Sequence, residues 1–329
     1  MDSTTKLRIL YLYQHLLKHS DAEHPISTGQ LIADLKKEYD IDVNRNTLAN
    51  DLAMLDKSGF NIEVIHSQSN SYYIDTQKFD LAELKILIDA VSSSKFITEK
   101  KSKALIEKLL SLTTDHYASQ LRRHVTVEGR VKSDNEKGYY IVDAINEAID
   151  DGVKIRFQYA DYSVKGRKIL RHDGEYYVVS PYALIWDGDY YYVVGYGEKR
   201  RIVQSFRLDR FYRTPEVLKE SAVPAPEGFS LEMYAKSVFR MYDTDQPVEV
   251  QLLCVNKLAN AIVDRFGKNT AMMAVDINHF TVNVTVCASP TFYRWVFGWN
   301  GDMKILGPKS VVVEYKEMLL RSLEQITHV

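Results

Sequence analysis

The segment from Pro181 to Phe211 constrains the fold most, because its pattern predicts three consecutive β-strands joined by two tight turns. Asp187-Gly188-Asp189 provides turn chemistry after the first strand, and Gly197-Glu198-Lys199 provides it after the second. Along the third strand, alternation separates an apolar face from a face that carries Ser205 and Arg207. We expect this tyrosine-rich meander, with its basic and hydroxyl-bearing face, to hold an anionic ligand.

The flanking segments extend the meander into a predicted domain over residues 133–220. The apolar spacing predicts a helix from Tyr139 to Asp150, and alternation from Val153 to Tyr159 predicts a half-buried strand. Five strands are predicted in all: Val153–Tyr159, Tyr176–Ser180, Tyr182–Trp186, Tyr190–Tyr196 and Arg201–Leu208. One helix followed by five strands suits a small Sm-like five-stranded β-barrel.

The first segment, residues 1–78, is predicted to form a winged helix-turn-helix. Ser27-x-x-Gln30 is a capping-box pattern that opens a second helix after the first. Asn44 can cap a third helix in which a leucine stripe faces inward and which Gly59 ends. A hairpin formed by Ile62–His66 and Tyr72–Ile74 then completes the wing.

The third helix is the predicted DNA-recognition helix, since in this fold its N-terminal half enters the major groove. Its polar residues lie away from the stripe of Leu48, Leu52 and Leu55. Arginine can pair with guanine, asparagine with adenine, and threonine can contact a phosphate or a thymine methyl. The candidate DNA-binding residues are therefore Arg45, Asn46, Thr47, Asn50 and Lys57.

The remaining segments complete a predicted α+β multidomain chain. Residues 79–132 form a helical bridge with apolar stripes at Leu81–Ile88 and Ala104–Leu112, for which the bridge offers no evident partner. Residues 221–329 open with a linker at Ser221–Ser230 and continue in the order βαββαβα, which predicts a ferredoxin-like sandwich. In that part Phe292, Trp295 and Trp299 share a helical stripe that is most simply core.

Charge is unevenly distributed along a chain whose formal net charge is only -2. Residues 1–80 contain eight lysines and arginines against twelve acids, whereas residues 95–132 contain nine against four. Phosphate neutralisation dominates DNA affinity, so an acidic reading domain binds weakly by itself. We therefore expect a homodimer, held by the bridge and the C-terminal domain, with the basic bridge adding phosphate contacts.

The central segment resembles the WYL-domain family of bacterial regulators. The resemblance follows Pro181-Tyr182-x-Leu184, an Asp-Gly turn, Tyr191-Tyr192-Val193 and Phe206-Arg207-Leu208-Asp209-Arg210. Tyr191 stands in place of the family's tryptophan and Val193 in place of its leucine. The C-terminal run Tyr293-Arg294-Trp295-Val296 resembles the extension that accompanies many WYL domains.

The resemblance implies a ligand-responsive transcriptional regulator that senses a nucleotide or single-stranded nucleic acid. Motif residues Tyr192, Arg207 and Arg210 are the implied effector contacts. Ser205 shares a strand face with Arg207, and Lys154 and Arg156 could extend the basic patch. The alternative is a solvated face whose arginines pair with Asp209 or Glu198. Regulators of this type often carry Arg-Asp-Leu where this chain has Asn50-Asp51-Leu52.

Other chemistry finds little support in the sequence. The catalytic and phosphate-binding motifs of common enzymes are absent, so we expect no enzyme and no cofactor. Cys254 and Cys287 lack metal-ligand spacing, and His15 and His19 are expected at the surface rather than at a metal. A cytoplasmic protein without a membrane span is predicted. The alternative function is a non-catalytic RNA-binding or protein-interaction module that uses the barrel as its reader.

Overall fold

The computed structural model describes residues 3–74, 79–123, 125, 131–238 and 247–327, with side chains from 7 to 326. The chain divides into two compact units, Met1–Asp134 and Asn135–Val329. The described residues form eleven α-helices and four antiparallel sheets, which confirms the mixed α+β class. Within these ranges, no helix combines the length and the apolar character needed to cross a membrane.

The first unit begins with three helices, followed by a hairpin, as predicted. A short strand before the second helix pairs with the hairpin and gives a three-stranded sheet of order β1-β3-β2. The Ser27 hydroxyl accepts the Gln30 amide at 3.3 Å, but the Gln30 side chain donates to Asp34 instead of returning to the cap. The elements are α1 (Ser3–His19), β1 (Ile26–Ser27), α2 (Thr28–Tyr39), α3 (Arg45–Lys57), β2 (Ile62–Ile65) and β3 (Ser71–Ile74).

The bridge contains α4 (Leu81–Ser93), α5 (Glu99–Leu110) and α6 (Asp115–Arg122). Its apolar stripes pack against one another in a core that contains Leu84, Ile88, Ile106, Leu110, Ala118 and Leu121. The expectation that these stripes lack a partner in the bridge was therefore wrong. Three short helices bury each other's apolar faces, which helical periodicity alone does not reveal.

The second unit opens with α7 (Gly138–Asp150), which covers one face of a five-stranded sheet of order β10-β4-β7-β8-β9. Its strands are β4 (Val153–Gln158), β7 (Tyr176–Asp187), β8 (Tyr190–Gly197), β9 (Ile202–Arg207) and β10 (Glu216–Ser221), and a small hairpin pairs β5 (Ala160–Tyr162) with β6 (Lys168–Leu170). The two predicted strands Tyr176–Ser180 and Tyr182–Trp186 form one continuous strand, β7. Its register with β8 shifts between Pro181 and Ala183. A shift of this kind accommodates a proline in a sheet interior. Gly195 faces it, and a Cβ there would lie 2.4 Å from the Ser180 carbonyl oxygen.

The five strands do not close into a barrel by strand pairing within the described residues, so that part of the predicted fold is not reproduced. β9 and β10 are the two edges of the ladder. A single β-bridge joins the C-terminal end of β4 to the chain that follows β9, since Tyr159 pairs with Phe211 and the Tyr212 amide donates to the Gln158 carbonyl at 3.0 Å. Phe157 and Phe211 stack at 4.0 Å between centroids in the aromatic core beneath this bridge.

The C-terminal part follows the predicted order βαββαβα after a short extra helix, α8 (Leu231–Ser237). Its sheet has the order β12-β13-β11-β14 and is antiparallel throughout. Phe292, Trp295 and Trp299 pack in its core, as expected, and Cys254 and Cys287 are free buried thiols. The elements are β11 (Val248–Val255), α9 (Ala259–Phe266), β12 (Met272–Ala274), β13 (His279–Val286), α10 (Pro290–Phe297), β14 (Met303–Gly307) and α11 (Lys309–Thr327).

Candidate functional sites on helix α3 and the central sheet

Helix α3 is fixed to the first unit by its apolar stripe and by a partly buried ion pair. The Asn44 side chain accepts the Thr47 amide at 2.9 Å and starts the helix. Leu48, Leu52 and Leu55 then face the core. Between them, Asp51 is 3% exposed and accepts two hydrogen bonds from Arg8 of α1, at 2.6 and 3.0 Å. The hydrogen bond to Asp51 raises the pKa of Arg8.

The opposite face of α3 presents an uninterrupted exposed stripe. At 100° per residue, the positions furthest from the core are Asn46, Asn50, Ala53 and Lys57, and all four are exposed. Arg45 is exposed on one flank, and Thr47 is half-buried on the other. Within the described residues, no hydrogen bond or ion pair of the protein holds the side chains of Arg45, Asn46, Asn50 or Lys57.

The predicted effector residues of the central sheet are partly brought together. Tyr192 and Arg207 are directly opposite on β8 and β9, and Ser205 is opposite Val194 on the same face. The Arg207 guanidinium donates to both carboxylate oxygens of Asp209, at 3.1 and 2.8 Å, and lies 3.3 Å from the Tyr190 ring centroid. Burial lowers the pKa of Arg207, but Asp209 and Tyr190 outweigh burial and raise it.

Tyr192 is not an open stacking surface. It is 5% exposed in a cluster with Val238 and Cys287, against which Tyr190 and Tyr234 pack. Burial raises the pKa of Tyr192 to about 12, so its hydroxyl stays neutral. A ligand that stacks on this ring would first have to displace the chain around α8.

The other predicted cations of the sheet are also paired with carboxylates. Arg210 lies 3.3 Å from Asp161, which also pairs with Arg171 at 2.9 Å. On β4, Lys154 lies 2.8 Å from Glu198, and Arg156 lies 2.6 Å from Glu216. Two strands separate β4 from β9, so Lys154 and Arg156 lie about 14 Å from the β9 backbone along the ladder. The alternative prediction, a face with internally paired arginines, describes this sheet more closely.

A groove opens at the other end of the same sheet face. Its volume is about 490 Å³, and it lies between the strands β8 and β9 and the chain that follows β10. Tyr196, Val203, Phe229, Tyr234 and Cys287 are among its lining residues. None of these was a predicted site residue, because the groove forms where segments distant in sequence meet.

A cluster in the first unit also contradicts one expectation. His15, predicted to be at the surface, is 2% exposed, and its ring lies 4.5 Å from that of His19. Its Nε2 is 3.3 Å from Asp34 and its Nδ1 is 3.4 Å from Glu38. The matching signal was present, since Asp34 and Glu38 have the same four-residue spacing on α2 as the two histidines on α1.

Comparisons with known proteins identify the central domain. A helix followed by an antiparallel sheet defines a small α+β class of domain. Residues 140–216 match the family model of the WYL domain. The chain therefore contains a WYL domain, as its sequence motifs predicted. A search of curated proteins found no match.

Two solved structures resemble the chain weakly. One is proteasome accessory factor B/C (PafBC) of Arthrobacter aurescens, with 18% identity, a TM-score of 0.29 and coverage of 95% of this chain. This chain spans only 45% of that one. The other is a CRISPR Cas-related protein, with 12% identity, a TM-score of 0.38 and coverage of 99% of this chain and 84% of the other. At these identities and TM-scores, neither likeness carries a functional argument.

Proposed function

We propose that this chain is a non-enzymatic, DNA-binding transcriptional regulator. In this proposal a winged helix-turn-helix (residues 1–78), a helical bridge (79–132), a WYL effector domain (133–220) and a ferredoxin-like extension (221–329) act in series. The observation that carries it is the exposed stripe Asn46, Asn50, Ala53 and Lys57 on a helix anchored from behind. Amides and cations without protein partners, on a rigid support, are suited to contact base edges and phosphates.

Ala53 and the neighbouring Ala49 strengthen this proposal. Both are exposed and small, so the α3 backbone can approach the groove floor without a steric barrier. Asn46 and Asn50 are one helical turn apart and could contact neighbouring base pairs, while Lys57, about 16 Å beyond Asn46 along the axis, suits a phosphate. Arg45 at the first turn suits a guanine or a phosphate.

Selection from a random duplex DNA library with the full chain tests this function. A reader of duplex DNA enriches a motif, and the motif should contain two half-sites separated by a multiple of roughly 34–36 Å if the protein binds as a dimer. Enrichment must disappear in the double variant Asn46→Ala, Asn50→Ala. If the wild-type chain enriches no motif, the proposed function is wrong.

We further propose that the WYL domain senses an anionic effector by exchange. A phosphate-bearing nucleotide or short single strand would replace Asp209 on Arg207, because the planar guanidinium fork fits either group. The exchange would release the Asp209 carboxylate and so change the turn Leu208–Arg210. That turn leads to Phe211, which pairs with Tyr159 after β4. Nucleotides and short oligonucleotides titrated by calorimetry test this step, and binding must weaken in Arg207→Ala.

A homodimer is part of the proposal. The apolar stripes of the helical bridge do not support it, because they pack against one another within the bridge. Exposed apolar side chains instead occur along α11, where Val313 and Leu320, two turns apart on one face, are 43% and 47% exposed. An apolar helix face of this kind is a common dimer contact. Light scattering should give twice the chain mass of 37.9 kDa, and a monomer at all concentrations would exclude this part of the proposal.

A protein-interaction module is the second candidate. It is favoured by the acidity of the first 80 residues and by apolar groups near α3, where Phe60 and Ile65 are 38% and 43% exposed. The paired cations of the sheet give less support to RNA binding by that surface. The same DNA selection separates the two candidates, since an interaction module enriches no duplex motif.

A further inference from the structure

The first unit contains a group of metal-ligating side chains that the proposed function does not use. His15 and His19 of α1 and Glu38 of α2 each place a ligand atom within 4.8 Å of the others. They come from two helices whose packing is fixed by the core around Leu12, Leu16, Leu31 and Leu35. The cluster is therefore held by the fold and is not an accident of mobile surface side chains.

An unsatisfied buried imidazole is the observation that points to a ligand. His15 is 2% exposed, and neither of its ring nitrogens makes a hydrogen bond within the described residues. Its contacts with Asp34 and Glu38, at 3.3 and 3.4 Å, are close but lack hydrogen-bonding geometry. A buried polar group without a partner costs roughly 1–3 kcal/mol, and an ion bound to one nitrogen would remove that cost.

Neighbouring carboxylates complete the arrangement around both rings. Asp34 lies beside Nε2 of His15, which leaves Nδ1 on the side of Glu38. Asp115 of α6 lies 3.1 Å from Nδ1 of His19. A carboxylate on the far side of a ligating imidazole fixes its tautomer and orientation, and such pairs are general at protein metal sites.

We propose that His15, His19 and Glu38 bind one divalent transition-metal ion of the zinc class. Two imidazoles and one carboxylate are ligands that Zn²⁺ accepts, and they leave one coordination position open for water. Tetrahedral zinc places its ligand atoms about 3.3 Å apart, so small side-chain rotations from the present arrangement suffice. The ion ties α1 to α2, and through Asp115 it orients a side chain of the bridge.

Burial and position favour an exchangeable ion over a permanent structural one. His19 is 26% exposed and Glu38 is 41% exposed, so the site opens to solvent on one side. Occupancy would therefore respond to the free concentration of the ion.

Metal titration of the full chain tests the proposal without DNA. Chelator-treated protein is titrated with Zn²⁺ by calorimetry and by competition with a chromophoric chelator, with Mg²⁺ as the comparison ion. We expect one Zn²⁺ per chain, a thermal midpoint that rises with Zn²⁺ concentration, and no response to Mg²⁺. Absence of Zn²⁺ binding, or binding that Mg²⁺ reproduces, would overturn the proposal.

Variants locate the site. His19→Gln and Glu38→Gln should each weaken Zn²⁺ binding at least tenfold, whereas His66→Gln, at an exposed histidine of the same unit, should leave it unchanged. Far-UV circular dichroism confirms folding, since both altered side chains are partly exposed. A Co²⁺ spectrum without thiolate absorption excludes Cys254 and Cys287 as ligands. If the double variant His19→Gln, Glu38→Gln binds Zn²⁺ as tightly as the wild-type chain, the assignment of these ligands is wrong.

Discussion

Helix α3 and the central sheet both present polar side chains that suit nucleic acid, yet their electrostatic states are opposite. On α3, Arg45, Asn50 and Lys57 are exposed and have no protein partner within the described residues. On the sheet, Arg207, Arg210, Lys154 and Arg156 are all paired with carboxylates. The first surface can bind at once, whereas the second must exchange one partner for another.

This difference has a functional consequence. A surface with unpaired donors gains affinity from each new contact, while an internally neutralised surface gains only the difference between the new anion and the old carboxylate. The first arrangement suits a tightly held operator, and the second suits a ligand that is selected and released. Arg207 illustrates the second, because it remains charged and clamped by Asp209 and Tyr190.

The largest expected effect comes from removing the support beneath α3. Asp51→Ala leaves the Arg8 side chain, which is 16% exposed, without its carboxylate partner. Breaking a buried pair from one side costs about 3–5 kcal/mol. Because Arg8 keeps some contact with water, the free energy of unfolding of the first unit should fall by an amount at the lower end of that range. Hydrogen exchange of the α3 amides and urea unfolding of the full chain measure it.

The matched control is Asp56→Asn, an exposed acid on the same helix. Its effect on stability should stay within about 0.5 kcal/mol. If Asp51→Ala proves equally mild, helix α3 is held by its leucines alone. The Arg8–Asp51 pair would then not be what makes α3 a rigid support.

The next effect concerns the exposed stripe. Asn50→Ala should weaken binding to the selected duplex by about 1–3 kcal/mol, and Arg45→Ala by a similar amount if Arg45 contacts guanine. Alanine favours helix, so the loss cannot come from unfolding of α3. Fluorescence anisotropy at fixed salt measures it, with Lys219→Ala in the other unit as the control.

The pattern of loss distinguishes two roles. A residue that reads a base loses affinity at one position of the operator, whereas a phosphate contact loses affinity on all sequences and reduces the salt dependence. Unchanged affinity in both variants would show that α3 does not face the duplex.

The sequence predicted α3 well because everything it needed was local. The Asn44 cap, the leucine spacing and Gly59, whose φ is +85°, all lie within one short segment. The sequence did not predict the ion pair between Arg8 and Asp51. The two residues are 43 positions apart, and only the packing of α1 on α3 brings them together. The same reason explains why the histidine cluster was placed at the surface.

On the sheet, too, contacts between residues close in sequence could be predicted, whereas contacts between distant segments could not. Asp209 is two residues from Arg207, so their pairing could be weighed in advance as an alternative. The pair Arg210–Asp161 and the burial of Tyr192 beneath α8 depend on how distant segments pack. Strand β10 was missed because it pairs at an edge and carries no apolar alternation strong enough to mark a strand.

A third prediction tests exchange at Arg207 directly. Asp209→Asn removes the competing negative charge while keeping the shape of the side chain. The affinity for a phosphate-bearing effector should rise several-fold, since a hydrogen bond to a charged partner contributes about 1.5–3 kcal/mol and only part of it is lost. Calorimetric titration with nucleotides measures the change.

Asp161→Asn is the matched comparison, because it removes a carboxylate from Arg210 and Arg171 on the same side of the domain. A gain limited to Asp209→Asn assigns the exchange to Arg207. Weaker effector binding in Asp209→Asn would contradict the exchange and indicate that the Asp209 carboxylate itself holds the ligand site in shape.

The smallest expected effect comes from the β4 edge. Arg156 and Glu216 are 44% and 56% exposed, and their pairing at 2.6 Å is screened by water and salt. A double-mutant cycle with Arg156→Ala and Glu216→Ala should therefore give a coupling free energy of about 0.2–1 kcal/mol that decreases with added salt. Because two strands separate β4 from β9, Arg156→Ala should leave effector affinity unchanged within error. A tenfold loss of effector affinity in Arg156→Ala would extend the ligand site across the whole sheet, and the sheet would then resemble α3 as an open binding surface.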